Sequence, residues 1–333
     1  MNQTRTVVVT GATGAVGPAV VRALQEAGFR VKTFSFDVPH PGDLPATVDV
    51  VRGDINDYSA VREVLRGADV VVHMAALLHI DNPSPVLQAR YNLINVDGTR
   101  SVTQASAEQG VKRLVFFSTI NVYGPTSGCM ATEETPLKPD SFYAQTKKAG
   151  EAIVLGAKAE NGEAIGTVLR LGAVYGSRVK GNYRRLAQTL AKGRALPLAG
   201  RNRRTVVYDQ DVGRAVCSVV DTPEAAGKVY NVTDGKIHTV QDIFRAISLA
   251  AGPTAPRFFL PVLPVRLAGA IGKTLLSALR LPLPTPLVLL EKYFEDIAVD
   301  GSKIQRETPF RPVYDLQRGW QETIRLMREA GDL

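Results

Sequence analysis

A five-residue apolar run, Thr6-Val7-Val8-Val9-Thr10, leads without a spacer into Gly11-Ala12-Thr13-Gly14-Ala15-Val16-Gly17. β-branched residues favour a buried strand, and three glycines at three-residue spacing cannot continue one. The glycines permit a tight turn and let the backbone come close to another group. The following residues, 15–27, have helical spacing, so the unit reads strand, glycine loop, helix. A helix N-terminus presents unpaired N–H groups and a partial positive charge, which suits a pyrophosphate. Gly11, Gly14, Ala15, Val16 and Gly17 are therefore the expected dinucleotide contacts.

The rest of the first half repeats the alternation. Apolar runs at 6–10, 30–36, 48–52, 70–73, 113–118 and 167–171 alternate with helical stretches at 15–27, 58–65, 95–109 and 143–159. Apolar strands separated by helices imply a parallel sheet covered on both faces. The predicted fold class is α/β, a doubly wound (Rossmann) parallel sheet with a smaller, mostly helical C-terminal substrate lobe. We expect a dinucleotide-binding domain over 1–174 with a returning segment at about 205–234, and a substrate lobe from 175–204 and 235–333.

Composition excludes several alternatives. Apolar residues make up 45% and charged residues 22%, which rules out a disordered chain, a collagen and a coiled coil. Two cysteines without CxxC spacing and four scattered histidines predict neither a disulfide framework nor a metal site. The excess of 40 Lys+Arg over 32 Asp+Glu suits an anionic ligand. No basic run or binding module points to nucleic acid. The opening residues lack an export signal, so a cytoplasmic location is expected. Residues 243–290 contain no acidic residue and seven prolines between 253 and 286. Lys273, Arg280 and the prolines argue against a transmembrane helix. The segment 257–290 reads as a lid over the substrate site, with peripheral membrane contact as the alternative.

Several residues carry candidate chemistry. Tyr143 and Lys147 stand four apart on a helical stretch, hence on one face. An ammonium beside a phenol is expected to lower the phenol's pKa. Such a tyrosine can take a proton from a carbinol while hydride leaves its carbon. Thr119, at the end of a strand, is the candidate to bond the reacting oxygen, with Ser118 as its rival. Asp54, beside Ile55, reads as an acceptor for an adenine amine. At the end of the second strand an acid would bond ribose hydroxyls and repel a 2′-phosphate. Here Ser35 takes the usual acidic place and Asp37 comes slightly late. No arginine stands beside either in sequence, which favours NAD and leaves NADP open.

Gly11–Gly17, Val72-His73-Met74-Ala75-Ala76, Asn95-Val96-Asp97-Gly98-Thr99, Ser118–Gly124 and Tyr143–Lys147 follow one another at suitable intervals. In these motifs, and nearly throughout, the chain resembles the extended short-chain dehydrogenase/reductase superfamily, in its NAD-dependent epimerase/dehydratase branch. The resemblance implies a catalytic Thr119, Tyr143 and Lys147, the last two also holding cofactor. It implies cofactor-lining backbone at Ala75 and Ala76, and a helix-kinking Asn95. It also implies a homodimer joined through the helices near 95–109 and 143–159.

This branch mostly handles nucleotide sugars. Lys180-Gly181-Asn182-Tyr183 looks like its diphosphate-contacting segment, and Arg204 like its phosphate-holding arginine. An arginine fork suits a phosphate. A UDP-linked sugar is thus the expected substrate and a 4-epimerase the expected activity. A 4-ketoreductase, a steroid- or flavonoid-like alcohol dehydrogenase and a non-catalytic dinucleotide sensor are the alternatives. Ala173 stands where many nucleotide-sugar epimerases have an Asn. Ile120 and Asn121 replace the acidic pair of sugar dehydratases, and Asn121 the Glu of decarboxylases, so elimination and decarboxylation are disfavoured.

Overall fold

The computed structural model describes residues 4–78, 80, 83–126, 128–179, 181–191, 198–199, 201–252, 260–261 and 295–333. Its first half alternates strands and helices: β1 (Thr6–Thr10), α1 (Gly17–Glu26), β2 (Arg30–Ser35), β3 (Asp49–Arg52), α2 (Tyr58–Val64), β4 (Val70–His73), α3 (Pro85–Tyr91), α4 (Gly98–Glu108), β5 (Arg113–Thr119), α5 (Phe142–Leu155) and β6 (Gly166–Leu171). Then follow β7 (Ala173–Tyr175), α6 (Asn182–Ala191), β8 (Leu198–Ala199), β9 (Arg203–Arg204), β10 (Val206–Tyr208), α7 (Asp209–Val220), β11 (Val229–Val232), β12 (His238–Thr239), α8 (Val240–Ala251) and β13 (Leu260–Pro261). Two helices close the chain, α9 (Ser302–Glu307) and α10 (Leu316–Glu329).

Seven strands form one parallel sheet in the order β11-β6-β5-β4-β1-β2-β3. The order reverses on either side of β1, which puts a ligand crevice beyond the strands' carboxyl ends. Alternate residues of each strand serve opposite faces. Val7, Val9, Val31 and Val72 face α1 and α7, meeting Val20, Val21, Leu24, Val212 and Val216. Val8, Phe34, Val71 and Phe116 face α2, α4 and α5, meeting Val61, Val102 and Val154. Continuous apolar runs are therefore required in the central strands β1, β4, β5 and β6, where neither face meets water. Each such side chain contributes roughly 1.5–3 kcal/mol.

A separate core joins β7 and β10 to α8 and α10 through Tyr175, Tyr208, Ile243, Ile247, Trp320 and Ile324. Tyr175 stacks on Trp320 with ring centroids 4.9 Å apart. The helices here are well capped: Thr239 and Asp242 form a reciprocal capping box on α8, and Asp315 caps α10. Among the described residues no helix is long and apolar enough to cross a membrane. Of the 257–290 segment only residues 260–261 are described, and its reading as lid or membrane contact lies outside the described residues.

Two glycines of the loop allow contacts that no side chain permits. A Cβ on Gly11, whose φ is +73°, would lie 2.7 Å from the Ala75 backbone. One on Gly17 would lie 1.9 Å from the Ala12 carbonyl oxygen. Gly17→Ala is expected to cost about 3 kcal/mol or more, since backbone must move. Gly28→Ala meets nothing within 4 Å, and costs only its left-handed conformation, about 1 kcal/mol. Urea midpoints at unchanged slope measure the contrast.

Candidate active site

Helix α5 begins at Ser141, whose hydroxyl accepts from the Ala144 N–H at 3.3 Å. It packs on β5 at Gly150, where a Cβ would meet the Phe116 ring at 2.7 Å. That close approach lays the Lys147 amine over Phe116, 4.5 Å from the ring centroid, with Lys147 only 3% exposed. Tyr143 lies one turn earlier and half-buried, its ring 6.4 Å from that of Tyr91. Thr119 ends β5, and its Oγ1 accepts from the Asn121 N–H at 3.2 Å. It donates to no acceptor among the described residues, which leaves its hydroxyl proton for another oxygen. The fold thus brings β5's end and the opening face of α5 to the same edge of the sheet.

The expectation that Lys147 acidifies Tyr143 is not met in the chain by itself. Burial pushes the phenol up to about 12, and the Tyr91 phenol adds to that. Burial also brings the Lys147 amine down to about 7, against the pull of Glu151. Both groups sit where charge is poorly solvated, so desolvation outweighs helix spacing.

A hydrogen-bond chain runs behind these residues. His73 is fully enclosed, with Thr10 Oγ1 at 2.7 Å from Nδ1 and Thr99 Oγ1 at 2.9 Å from Nε2. The Thr99 hydroxyl donates to the Asn95 carbonyl at 2.7 Å, so its oxygen accepts from His73 Nε2–H. Nδ1 then accepts from Thr10, whose oxygen accepts the Ala75 N–H at 3.3 Å. Burial, with the Lys147 charge adding to it, lowers the His73 pKa to about 3 and keeps the ring neutral. Asn95 lies in a π-helical turn, Asn92–Asp97, an irregularity in the helix at the residue for which the resemblance implies a kink. The wider turn leaves its amide free to bond sideways. Oδ1 accepts from the Leu77 N–H at 2.7 Å, and Nδ2 donates to Thr146 Oγ1 at 3.1 Å. Thr146 donates to the Tyr143 carbonyl at 2.8 Å.

Ser118 is corrected as a substrate-contact candidate. It is buried and its hydroxyl donates to Glu151. Glu151 in turn holds Arg170 by Nε at 3.0 Å and Nη2 at 2.7 Å, both side chains nearly inaccessible. Arg170 Nη1 reaches the Tyr123 hydroxyl at 2.8 Å. Neither Glu151 nor Arg170 stands out in sequence, although Glu151 lies one turn beyond Lys147 on the same helix face.

The cofactor-side residues fit a dinucleotide. Gly14 N and Gly17 N close successive turns of the loop, Pro18 carries no N–H, and no side chain among the described residues caps α1 at Val16, so the Ala19 N–H is left for a ligand at the helix start. Gly11 N donates to the Phe34 carbonyl, tying the ends of β1 and β2. Ala75 and Ala76 follow β4 at the same edge. Asp54 is exposed and spends Oδ1 on the backbone and side-chain N–H groups of Asn56, both at 2.9 Å. Ile55 turns its side chain into the core beneath Gly98, leaving its backbone for any ligand. Asp37 is exposed. The sequence shows no arginine beside Ser35, but strand pairing supplies one, because Arg52 of β3 lies in register with Ser35.

Arg204 is half-buried in β9, paired in register with His238 of β12. Asn182 opens α6, and its side chain and Lys180 lie outside the described residues.

Sheet order, glycine loop and switch point define a Rossmann-type dinucleotide-binding protein. Residues 7–233 match the NAD dependent epimerase/dehydratase family, and the chain belongs to that enzyme family. It is 26% identical to a UDP-glucose 4-epimerase of Vibrio cholerae over 98% of this chain and 97% of that one. It is 25% identical to a 3 beta-hydroxysteroid dehydrogenase/Delta 5-->4-isomerase of Mycobacterium tuberculosis over 96% and 89%. A dTDP-glucose 4,6-dehydratase of Streptomyces venezuelae, solved with NAD bound, superposes with a TM-score of 0.74 at 25% identity, covering 97% of each chain.

Two measurements check the buried network. Between its unfolded pKa of 6.5 and its folded value of about 3, His73 takes up a proton only when the chain unfolds. It therefore withdraws stability as pH falls through that window, by about 1.4 kcal/mol per unit. In His73→Asn the acid slope of urea stability should be shallower by that amount. Glu151→Ala strands a buried guanidinium and should cost about 3–5 kcal/mol by the same assay.

Proposed function

We propose that this chain interconverts the C4 carbinol and ketone of a nucleotide-linked hexose, with 4-epimerisation of a UDP-hexose as its reaction. What supports this reading best is the order of the elements: Thr119 closes β5, and Tyr143 and Lys147 stand on the opening turns of α5, at the sheet edge where the glycine loop follows β1. Gly11, Gly14, Ala15, Val16, Gly17, Ala75 and Ala76 would hold the cofactor, with Asp54 at the adenine. When bound, the nicotinamide ring supplies the hydride acceptor and donor. Thr119 would hold the reacting oxygen through its free hydroxyl proton. Tyr143 would take the C4-hydroxyl proton and later return it. The burial that raises the phenol pKa also makes every nearby charge count for more. Lys147, kept partly neutral by burial, would regain its proton when an anionic oxygen arrives. Arg204, on the opposite wall with Asn182, would hold a diphosphate oxygen.

Family membership and the Vibrio cholerae relative support this reading. Ile120 and Asn121, which follow Thr119, offer no acid or base for elimination, so the dehydratase likeness is set aside. Ala173 and the Mycobacterium tuberculosis relative favour a second reading, a hydroxysteroid-type alcohol dehydrogenase. Incubation with UDP-hexoses should invert C4 with no net change in reduced-cofactor absorbance. A stoichiometric absorbance change would instead mark a net reductase or dehydrogenase. Tyr143→Phe is expected to lower kcat roughly 10²- to 10⁴-fold with cofactor binding retained. Unchanged turnover in that variant overturns the assignment.

A further inference from the structure

We infer that the adenosine end of the cofactor site is built for a 2′-phosphorylated ribose, and that the chain binds NADP at least as tightly as NAD. The inference rests only on the dinucleotide-binding part of the proposed function, and holds for epimerase or reductase alike.

The second strand of such a sheet ends beside the adenosine ribose, and an acid there bonds its hydroxyls and repels a phosphate. That acid is missing here. Ser35 takes its place, 7% exposed, with a hydroxyl that has no hydrogen-bond partner among the described residues. A buried hydroxyl left unbonded costs free energy, so a ligand oxygen is the natural acceptor for it.

The neighbouring strand brings the charge. Arg52 is the register partner of Ser35, and its Nε donates to the Phe36 carbonyl at 3.1 Å. The Gly53 N–H donates to the Ser35 carbonyl at 3.0 Å, and the Gly11 N–H to the Phe34 carbonyl at 2.9 Å. Three successive carbonyls of β2's end are thus claimed by the glycine loop, by β3's end and by the arginine itself. The Nε bond anchors the guanidinium at that edge. Its two Nη groups make no hydrogen bond or ion pair among the described residues. A planar fork fixed at one nitrogen and open at the other two matches a phosphate.

The acidic groups near this edge do not neutralise it. Asp54 spends Oδ1 within its own turn on Asn56. Asp49, at the opposite end of β3, faces Lys32. Asp37 is exposed, two residues past Ser35 in the chain, and makes no ion pair with Arg52 among the described residues.

The test is a comparison of NADP+ and NAD+ binding to the full chain by calorimetry at fixed salt. NADP+ should bind at least as tightly as NAD+. Arg52→Gln should weaken NADP+ on the order of 10- to 100-fold and leave NAD+ within about twofold, as expected for loss of a charge-assisted pair. Ser35→Asp should reject NADP+ and keep NAD+, which also shows that the variant is folded. Tighter binding of NAD+ by the unaltered chain overturns the inference. So does an Arg52→Gln change that weakens both cofactors alike or neither. Binding of neither cofactor would overturn the proposed function as well, whereas selective NADP+ binding without turnover of UDP-hexoses would overturn the proposed reaction alone.

Discussion

The enclosed His73 ring is the joint on which the site depends. It accepts from Thr10, the last residue before the glycine loop, and donates to Thr99 on α4. From there the chain of bonds passes through Asn95 and Thr146 to the backbone of Tyr143. One neutral imidazole therefore links the loop that seats the dinucleotide to the helix that carries the phenol. Each member donates and accepts in one sense, so no member can rotate without stranding a buried polar atom. The ring must stay uncharged for this, and its burial ensures it.

Around that joint the protein keeps its charges for a few enclosed positions. Glu151 and Arg170 form a nearly inaccessible pair between α5 and β6, with Ser118 and Tyr123 completing their bonds. An apolar pair of the same volume would hold helix to strand as well. What the ion pair adds is direction, because a bidentate fork fixes the rotation of α5 about its axis. Tyr143 and Lys147 stand on the opening turns of that helix. The carboxylate also lies a turn beyond Lys147, where it supports the ammonium against the cost of burial.

A second core holds the part of the chain outside the main sheet. Tyr175, Trp320 and the residues of α8 pack into a body of their own. The short β12–β9 pairing sets Arg204 beside His238, and Arg203 is clamped on Asp296 with Nη2 at 2.6 Å. This region is thus held by its own apolar core, with side-chain ion pairs and brief ladders added at its margin.

Local pattern determined much of this protein. The apolar runs marked six of the sheet's seven strands at nearly their observed limits, because the central strands are buried on both faces, whereas β11 fell inside a segment read only as returning to the sheet. Three glycines after the first strand announced a dinucleotide loop, since only glycine tolerates the contacts at Gly11 and Gly17. Helical spacing put Tyr143 and Lys147 on one face. What the chain order hid was everything set by pairing between strands and helices. Ser118 is adjacent to Thr119 and yet faces Glu151, because successive strand residues point to opposite sides. Desolvation, which arises only once the helix is packed on Phe116, reversed the expected acidity of Tyr143. Arg52 is far from Ser35 along the chain and beside it in the sheet, for register between parallel strands is settled by the whole hydrophobic fold and not by neighbours in sequence.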